Sequence, residues 1–544
     1  MIDEARNEVG FALKELEEEL NHAVDSNKRP MCAVADWMRS ELDKSLKSVC
    51  QELNKQLVPE TVKRNRKRSR WQKPNSAGPA SRLARVWKKD KLGHDLAQGL
   101  IEQWDTGARI GLDGKVNDSW KTFDDKLATL SADSNRDLKY LFLGHQYKMV
   151  REYTDMWTIY CMGWAQRPGQ ALEQPVSVAI DIVDRIADKL YATIQDMSCC
   201  TYVQKQNLIP VFYENEAYTR PSRKSPAPFI VVPRWTLRQP WLGSGIAHEV
   251  AHNVLWNVQG LFDELLVVLS VELAAAGFSY DRQRVWGRWM EEIFADMFAV
   301  LQFGPTAVSS LQRALAYVPV PLLKELDIGL LDDVIDGLRG AYDAKHPVAY
   351  LRGWLSLEAL EMLIASQEPN QPNDIRDSQV TELKETWREF FQEESEEEKE
   401  PQGEVRLMAE GASLGIGHAP AKTMLDQGKI VLDAILYTPL QALAEEGSGA
   451  PRSMVDVFYH ERDYAKIKEA TDLLLLPKSQ FSADSFRDMD VRTVLAAAEY
   501  AFEQVTFEQA TKAPKEPEEQ VDLHLLAGHI FGAVSAILPD VPKR

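Results

Sequence analysis

The stretch Gly243-Ser244-Gly245-Ile246-Ala247-His248-Glu249-Val250-Ala251-His252 decides how the chain around it is read. Its glycines give a flexible entry, and Ser244 stands where a helix N-cap would be. Ile246, Val250 and Val254 then recur at helical spacing, which predicts a helix with one side in a core. His248 and His252 share a neighbouring face of that helix, so both imidazoles can reach a single metal ion. Glu249, beside the first histidine, is placed to act as a general base on water.

A catalytic zinc commonly keeps three protein ligands and one open position. Trp289-Met290-Glu291-Glu292-Ile293-Phe294-Ala295-Asp296 supplies the third candidate. Asp281 is expected to cap a helix that runs through Val300 until Gly304-Pro305 stops it. Glu292 and Asp296 lie one turn apart on it, so one can ligate while the other braces a ligand histidine. Glu291 is a rival for the ligand role, without an aspartate four residues later.

An HExxH helix, an intervening helix and a helix carrying ExxxD together resemble the gluzincin group of zinc metallopeptidases. The matching region is about residues 244–305, a small part of the chain. The resemblance implies Zn2+ held by His248, His252 and Glu292, with Asp296 orienting one of the histidines. It also implies hydrolysis of peptide bonds with Glu249 as general base. The family usually adds a group that stabilises the oxyanion, and His346-Pro347-Val348-Ala349-Tyr350-Leu351-Arg352 is the best candidate. There His346, Tyr350 and Arg352 are the candidate catalytic side chains, and Arg352 can either bind a substrate carbonyl or brace an acid. The same heptapeptide also reads as a plain helix start, with Pro347 in the first turn and Arg352 on the surface.

Two β-rich segments precede the motif, Asn207–Tyr218 and Pro228–Leu237. Proline interrupts or bounds both, which suits edge strands. Zincin folds set a small sheet beside the active helix and hold substrate along its edge. The second segment is expected to do that job by main-chain pairing, or else to be a hairpin covering the core.

The rest of the chain reads as helical. Val9, Phe11, Leu13, Leu16 and Leu20 approximate the helical period, and Ile430–Leu443 and Val491–Val505 are the clearest later runs. The expected fold is mainly α with a small β-sheet, a zincin-like α+β catalytic domain flanked by helical domains. The expected boundaries are an N-terminal helical region over 1–96 with a basic linker at 62–91, and a helical domain over 97–200. A zincin-like domain over 201–380, an acidic linker over 381–404 and a C-terminal helical domain over 405–544 complete the division.

Charge and cysteine usage narrow the function classes. A formal charge of −19 repels phosphates and argues against nucleic acid as the general partner. The exception is the basic run from Lys63 to Lys91, where Trp71 and Trp87 interleave with the cations and weak nucleic-acid contact by stacking is conceivable; a solvated linker is the plainer reading. Glu393 to Glu400 is an acidic run that leads into Pro401 and reads as a boundary. Five cysteines, Cys32, Cys50, Cys161, Cys199 and Cys200, show no CxxC spacing and no disulfide framework, which suits a reducing cytoplasm. No apolar run is long enough for a membrane span, and the first residues lack the apolar stretch of a secretory signal. His418, His460, His524 and His529 have no ligand-spaced partners and read as ordinary histidines.

The expected function is a regulated cytoplasmic zinc endopeptidase acting on protein or peptide substrates, with the helical domains available to a regulatory partner. Two rivals stand beside it. One is a non-enzymatic helical scaffold whose metal site is structural or degenerate. The other is a non-peptidase zinc hydrolase such as a deformylase, whose third ligand is cysteine; no cysteine occurs between residues 201 and 544.

Overall fold

The structure is a computed structural model that describes parts of 12–46 and 143–163, and then 174–195, 209–213, 218–219, 229–233, 239–240, 243–315, 347, 349–366, 375, 377–390, 404–407, 417–444, 449–511 and 523–537. His346, the basic run and the acidic run of 393–400 lie outside the described residues. The chain divides into two compact units. The first covers Met1–Met162 and Lys224–Pro226, and its described residues are helical, with Leu13, Leu16 and Leu20 buried at the expected spacing. The second covers Gly163–Arg223 and Ala227–Arg544 and contains the HExxH stretch.

In the second unit helix α1 (Gln174–Gln195) is followed by strands β1 (Ile209–Tyr213), β2 (Tyr218–Thr219) and β3 (Phe229–Pro233). Then come α2 (Gly245–Asn257), α3 (Leu261–Ala275), α4 (Tyr280–Phe303), α5 (Pro305–Leu315), α6 (Ala349–Ser366) and α7 (Asp377–Phe390). A small antiparallel pair, β4 (Glu404–Leu407) and β5 (Gly417–Pro420), precedes α8 (Ala421–Tyr437), α9 (Met454–Phe458), α10 (Tyr464–Leu474), α11 (Val491–Thr511) and α12 (Leu523–Ile537). The described residues are therefore mainly helical, and none of their helices is long and apolar enough to cross a membrane.

Helix α4 is the axis of this unit. Every residue from Glu292 to Phe303 is buried, so this half of the helix is enclosed all round rather than on one stripe. The motif helix α2 packs along it, burying Ile246, Val250, Val254 and Leu255. Each such side chain is worth about 1.5–3 kcal/mol of transfer free energy. The α4 helix starts at Ser279, whose Oγ accepts from Arg282 N, so Ser279 is the cap and Asp281 falls in the first turn. It ends at Gly304, whose φ of 59° and close approach to the Arg462 guanidinium exclude a Cβ. Ser244 does precede α2, but its backbone is already helical, with φ −62° and ψ −25°, and its side chain makes no cap bond.

The three-stranded sheet has the order β1–β3–β2. β3 pairs with β1 in parallel and with β2 antiparallel, so it is the central strand and not the expected edge. Proline explains the difference: Phe229–Val232 is proline-free and can donate on both sides, whereas Pro210 sits in β1, at an edge. Strands β2 and β3 pack against α2, and β1 packs against α1.

The expected domain boundaries differ from what the packing shows. Residues 97–200 do not form one body, because 143–162 belong to the first unit while α1 belongs to the second. Val183, Ile186, Ala187, Leu190 and Ile194 of α1 join the same hydrophobic core as the motif helix. The acidic stretch 381–404 is helical as far as Phe390, within α7. The C-terminal helices also share that core rather than forming a separate one. Phe458 lies 5.1 Å from Phe298 ring to ring, Gln302 Nε2 donates to Phe458 O, Trp286 donates to Gln427, and Arg492 donates to Gln302. An amphipathic stripe shows that a helix packs; it does not show against which core.

Ser309 and Arg313 on α5 meet Glu499 and Glu503 on α11, with Arg313 2.8 Å from each carboxylate. Glu499 is 1% exposed, and burial pushes its carboxyl up to about 7 against the pull of Arg313.

Two outcomes follow from this packing. Truncation after residue 404 strips α8 to α11 from α4 and is expected to give an insoluble or non-cooperatively melting product; a soluble 163–404 fragment with a sharp thermal transition would show an independent domain. Glu499 holds its proton more tightly folded than unfolded, so its contribution to stability is present below about pH 4.5 and lost as pH rises to about 7. Glu499→Gln is therefore expected to raise the urea midpoint relative to wild type more at about pH 8 than at about pH 5.

Candidate metal centre

Two acids, Glu292 and Asp296, occur in the enclosed half of α4, where an unpaired charge is costly. The structure gives each of them partners. Asp296 Oδ1 lies 2.9 Å from His248 Nδ1 on α2. Arg352, on α6, donates from Nε to Asp296 Oδ2 at 2.9 Å and from Nη2 to Oδ1 at 2.7 Å, a bidentate pair. Its Nη1 is 3.6 Å from Glu292 Oε2.

The other edges of the two imidazoles converge. His248 Nε2 and His252 Nε2 are 3.2 Å apart. Glu292 Oε2 lies 3.5 Å from His248 Nε2, and Glu292 Oε1 lies 3.7 Å from His252 Nε2. Among the described residues this is the group that could hold a metal ion. Donors bound at about 2.0–2.1 Å in a tetrahedron sit about 3.3–3.4 Å apart, while cis positions of an octahedron at that bond length sit about 2.8–3.0 Å apart. The 3.2 Å between the two Nε2 atoms is nearer the tetrahedral spacing, and each faces a different oxygen of the Glu292 carboxylate.

His252 is braced from the opposite direction. Its Nδ1 is 3.1 Å from Glu291 Oε1, and the same oxygen accepts from Trp256 Nε1 at 2.8 Å. With both Nδ1 edges turned to carboxylates, the two Nε2 atoms face each other across 3.2 Å, a gap that a shared proton or a cation can fill.

Four carboxylates, Glu249, Glu291, Glu292 and Asp296, thus surround two histidines and one guanidinium. Burial alone would lower the His248 pKa, but Asp296 and Glu292 outweigh it and push the imidazole up to about 10. Burial works to raise Asp296, but Arg352 and His248 hold it below the usual carboxylate range. Burial pushes Glu249 upward against the pull of both histidines. The field at this point favours positive charge.

The structure brings together His248, His252, Glu249, Glu292, Asp296 and Arg352. Glu291 is not a rival ligand here, because it is engaged at the Nδ1 edge of His252, away from the converging nitrogens. Tyr350 is not brought to the same face as Arg352. Two residues of helix turn it by about 200°, and it is 1% exposed, with its ring 6.4 Å from that of Trp354. Arg352 is neither on the surface nor turned to a substrate carbonyl; it braces Asp296. His346 lies outside the described residues. The roles of Glu291 and Trp256 were missed from the sequence, although His252 and Trp256 show the i,i+4 spacing of one helix face.

Comparison of the whole chain with protein-family models, with curated proteins and with solved structures finds no match. The site therefore has to be understood from its own geometry.

Arg352→Met leaves Asp296 buried without its guanidinium and is expected to cost about 3–5 kcal/mol in denaturant unfolding. An unchanged midpoint would mean that the pair does not hold α6 to α4.

Proposed function

We propose that this chain is a zinc-dependent peptidase of gluzincin type. The observation that carries the proposal is the convergence of His248 Nε2, His252 Nε2 and the Glu292 carboxylate, one ligand atom from each lying within 4.8 Å of the others, with Glu249 next in sequence to the first ligand. Imidazole and carboxylate donors at that spacing suit zinc better than magnesium or calcium, which take six or more oxygen ligands. The site is within unit 2, where α2 packs on β2 and β3, and a motif helix beside a small sheet supports the zincin-like reading.

Zinc held there would supply a Lewis acid that polarises a carbonyl and makes water a stronger acid. His248, His252 and Glu292 hold the ion, and Asp296 and Glu291 fix the ring orientations. Glu249 accepts the proton of the attacking water and passes it to the leaving amine. Arg352 acts through Asp296 and touches neither substrate nor metal in this scheme. His346 is left as the sequence candidate for the oxyanion. Substrate would pair along β2, which is an edge among the described strands and packs against α2. A reducing cytoplasm suits the cysteine usage, and the helices outside the site are where a regulatory partner would act.

Elemental analysis of protein purified without chelators tests the site, and a fluorogenic peptide library tests the activity. About one zinc per chain is expected in wild type and Glu249→Gln, and none in His248→Ala. Glu249→Gln is expected to lose hydrolysis by about 100-fold or more. Zinc retained with hydrolysis unchanged in Glu249→Gln would sink the general-base assignment. Zinc bound with no hydrolysis in wild type would favour a structural metal site.

A further inference from the structure

The partner of His252 is held in place by the motif helix itself. Trp256 lies four residues after His252, so both side chains leave the same face of α2. They meet on one atom: His252 Nδ1 at 3.1 Å and Trp256 Nε1 at 2.8 Å both address Glu291 Oε1. The indole is in turn fixed by Phe262, at the start of α3, with ring centroids 4.2 Å apart and planes at 17°.

Glu291 needs such a hold. Its side chain is 29% exposed, whereas that of His252 is 8% exposed, so water competes for the carboxylate at its outer end. A glutamate free to change rotamer would leave the imidazole with no fixed tautomer. With the indole N–H on Oε1, the carboxylate is kept where only the Nδ1–H tautomer of His252 is favoured, and Nε2 is presented as the donor to metal. Asp296 is held for His248 by a guanidinium; Glu291 is held for His252 by an indole.

We infer that Trp256 is a positioning residue of the metal centre, acting through Glu291 to set the tautomer and orientation of His252. The inference rests on the metal-site reading above and adds to it a residue that touches neither metal nor substrate. It also gives the motif a fourth position, His-Glu-x-x-His-x-x-x-Trp, with a chemical reason for each residue.

Zinc affinity, read by competition with a chromophoric chelator on the full-length protein, provides the test. Glu291→Gln is expected to weaken zinc binding by about 10- to 100-fold, and Trp256→Phe, which keeps the stack on Phe262, by about 10-fold. The double variant is expected to bind no more weakly than Glu291→Gln alone, because the indole acts through that carboxylate. The metal-free melting temperature of Trp256→Phe should match wild type, which separates positioning from packing. At saturating cobalt(II), its visible absorption band should shift as the ligand geometry changes. Equal zinc affinity in wild type, Trp256→Phe and Glu291→Gln overturns the inference and leaves the metal site standing. Additive losses in the double variant overturn the route through Glu291. Failure of the folded wild-type protein to bind zinc at all removes the metal-site reading, and this inference with it.

Discussion

Two carboxylates inside the enclosed half of α4 set the terms for the second unit. Glu292 and Asp296 are tolerated in α4 only because other elements bring compensating groups to them. Asp296 draws in both His248 from α2 and Arg352 from α6. Glu292 faces the gap between two imidazoles. The positions of α2 and α6 on α4 are thus tied to electrostatic demand as well as to apolar packing. A core of this size did not need acids for its own cohesion, and their presence is what makes the arrangement chemically suggestive.

The partners divide the work by distance from the converging nitrogens. The imidazole Nε2 atoms and Glu292 face the centre. Asp296 and Glu291 stand behind the imidazoles, and Arg352 and Trp256 stand behind those acids. Each layer removes a degree of freedom from the one inside it. One acid is held by a permanently charged fork and the other by a neutral N–H, so the two ligand histidines lie in unequal fields. The proposed base, Glu249, is the neighbour in sequence of the histidine that Asp296 braces.

Much of the centre could be read from spacing. His248, His252, Glu292 and Asp296 follow from i,i+4 geometry on two helices, because a helix converts sequence interval into direction. Glu291 and Trp256 did not, since their role depends on which edge of the His252 ring is free, and that is known only when α2 and α4 are set side by side. Arg352 was legible as a cation near acids, but its choice of Asp296 over a substrate depends on how α6 is rotated. Tyr350 fell away for the same reason. The strands at 209–213 and 229–233 were visible as β-rich segments, whereas their order was not, because the two-residue β2 that makes β3 central carries too little pattern. Domain limits failed for a broader reason: apolar periodicity in α1 and in α8 to α12 marks burial without naming the core that receives it.

The enclosure of α4 also bears on how the chain is made. Helices α2 to α4 are close in sequence and can associate early, since short loops cost little to close. Arg352 follows Asp296 by 56 residues, and the α8, α9 and α11 residues that wall α4 come more than a hundred later. During synthesis the enclosed half of α4 leaves the ribosome long before the elements that cover it, bearing an acid whose guanidinium partner has not yet been translated. Nascent chains of this protein would therefore pass through a prolonged sticky stage, and its yield in a cell would depend on holdase chaperones more than its final compactness suggests.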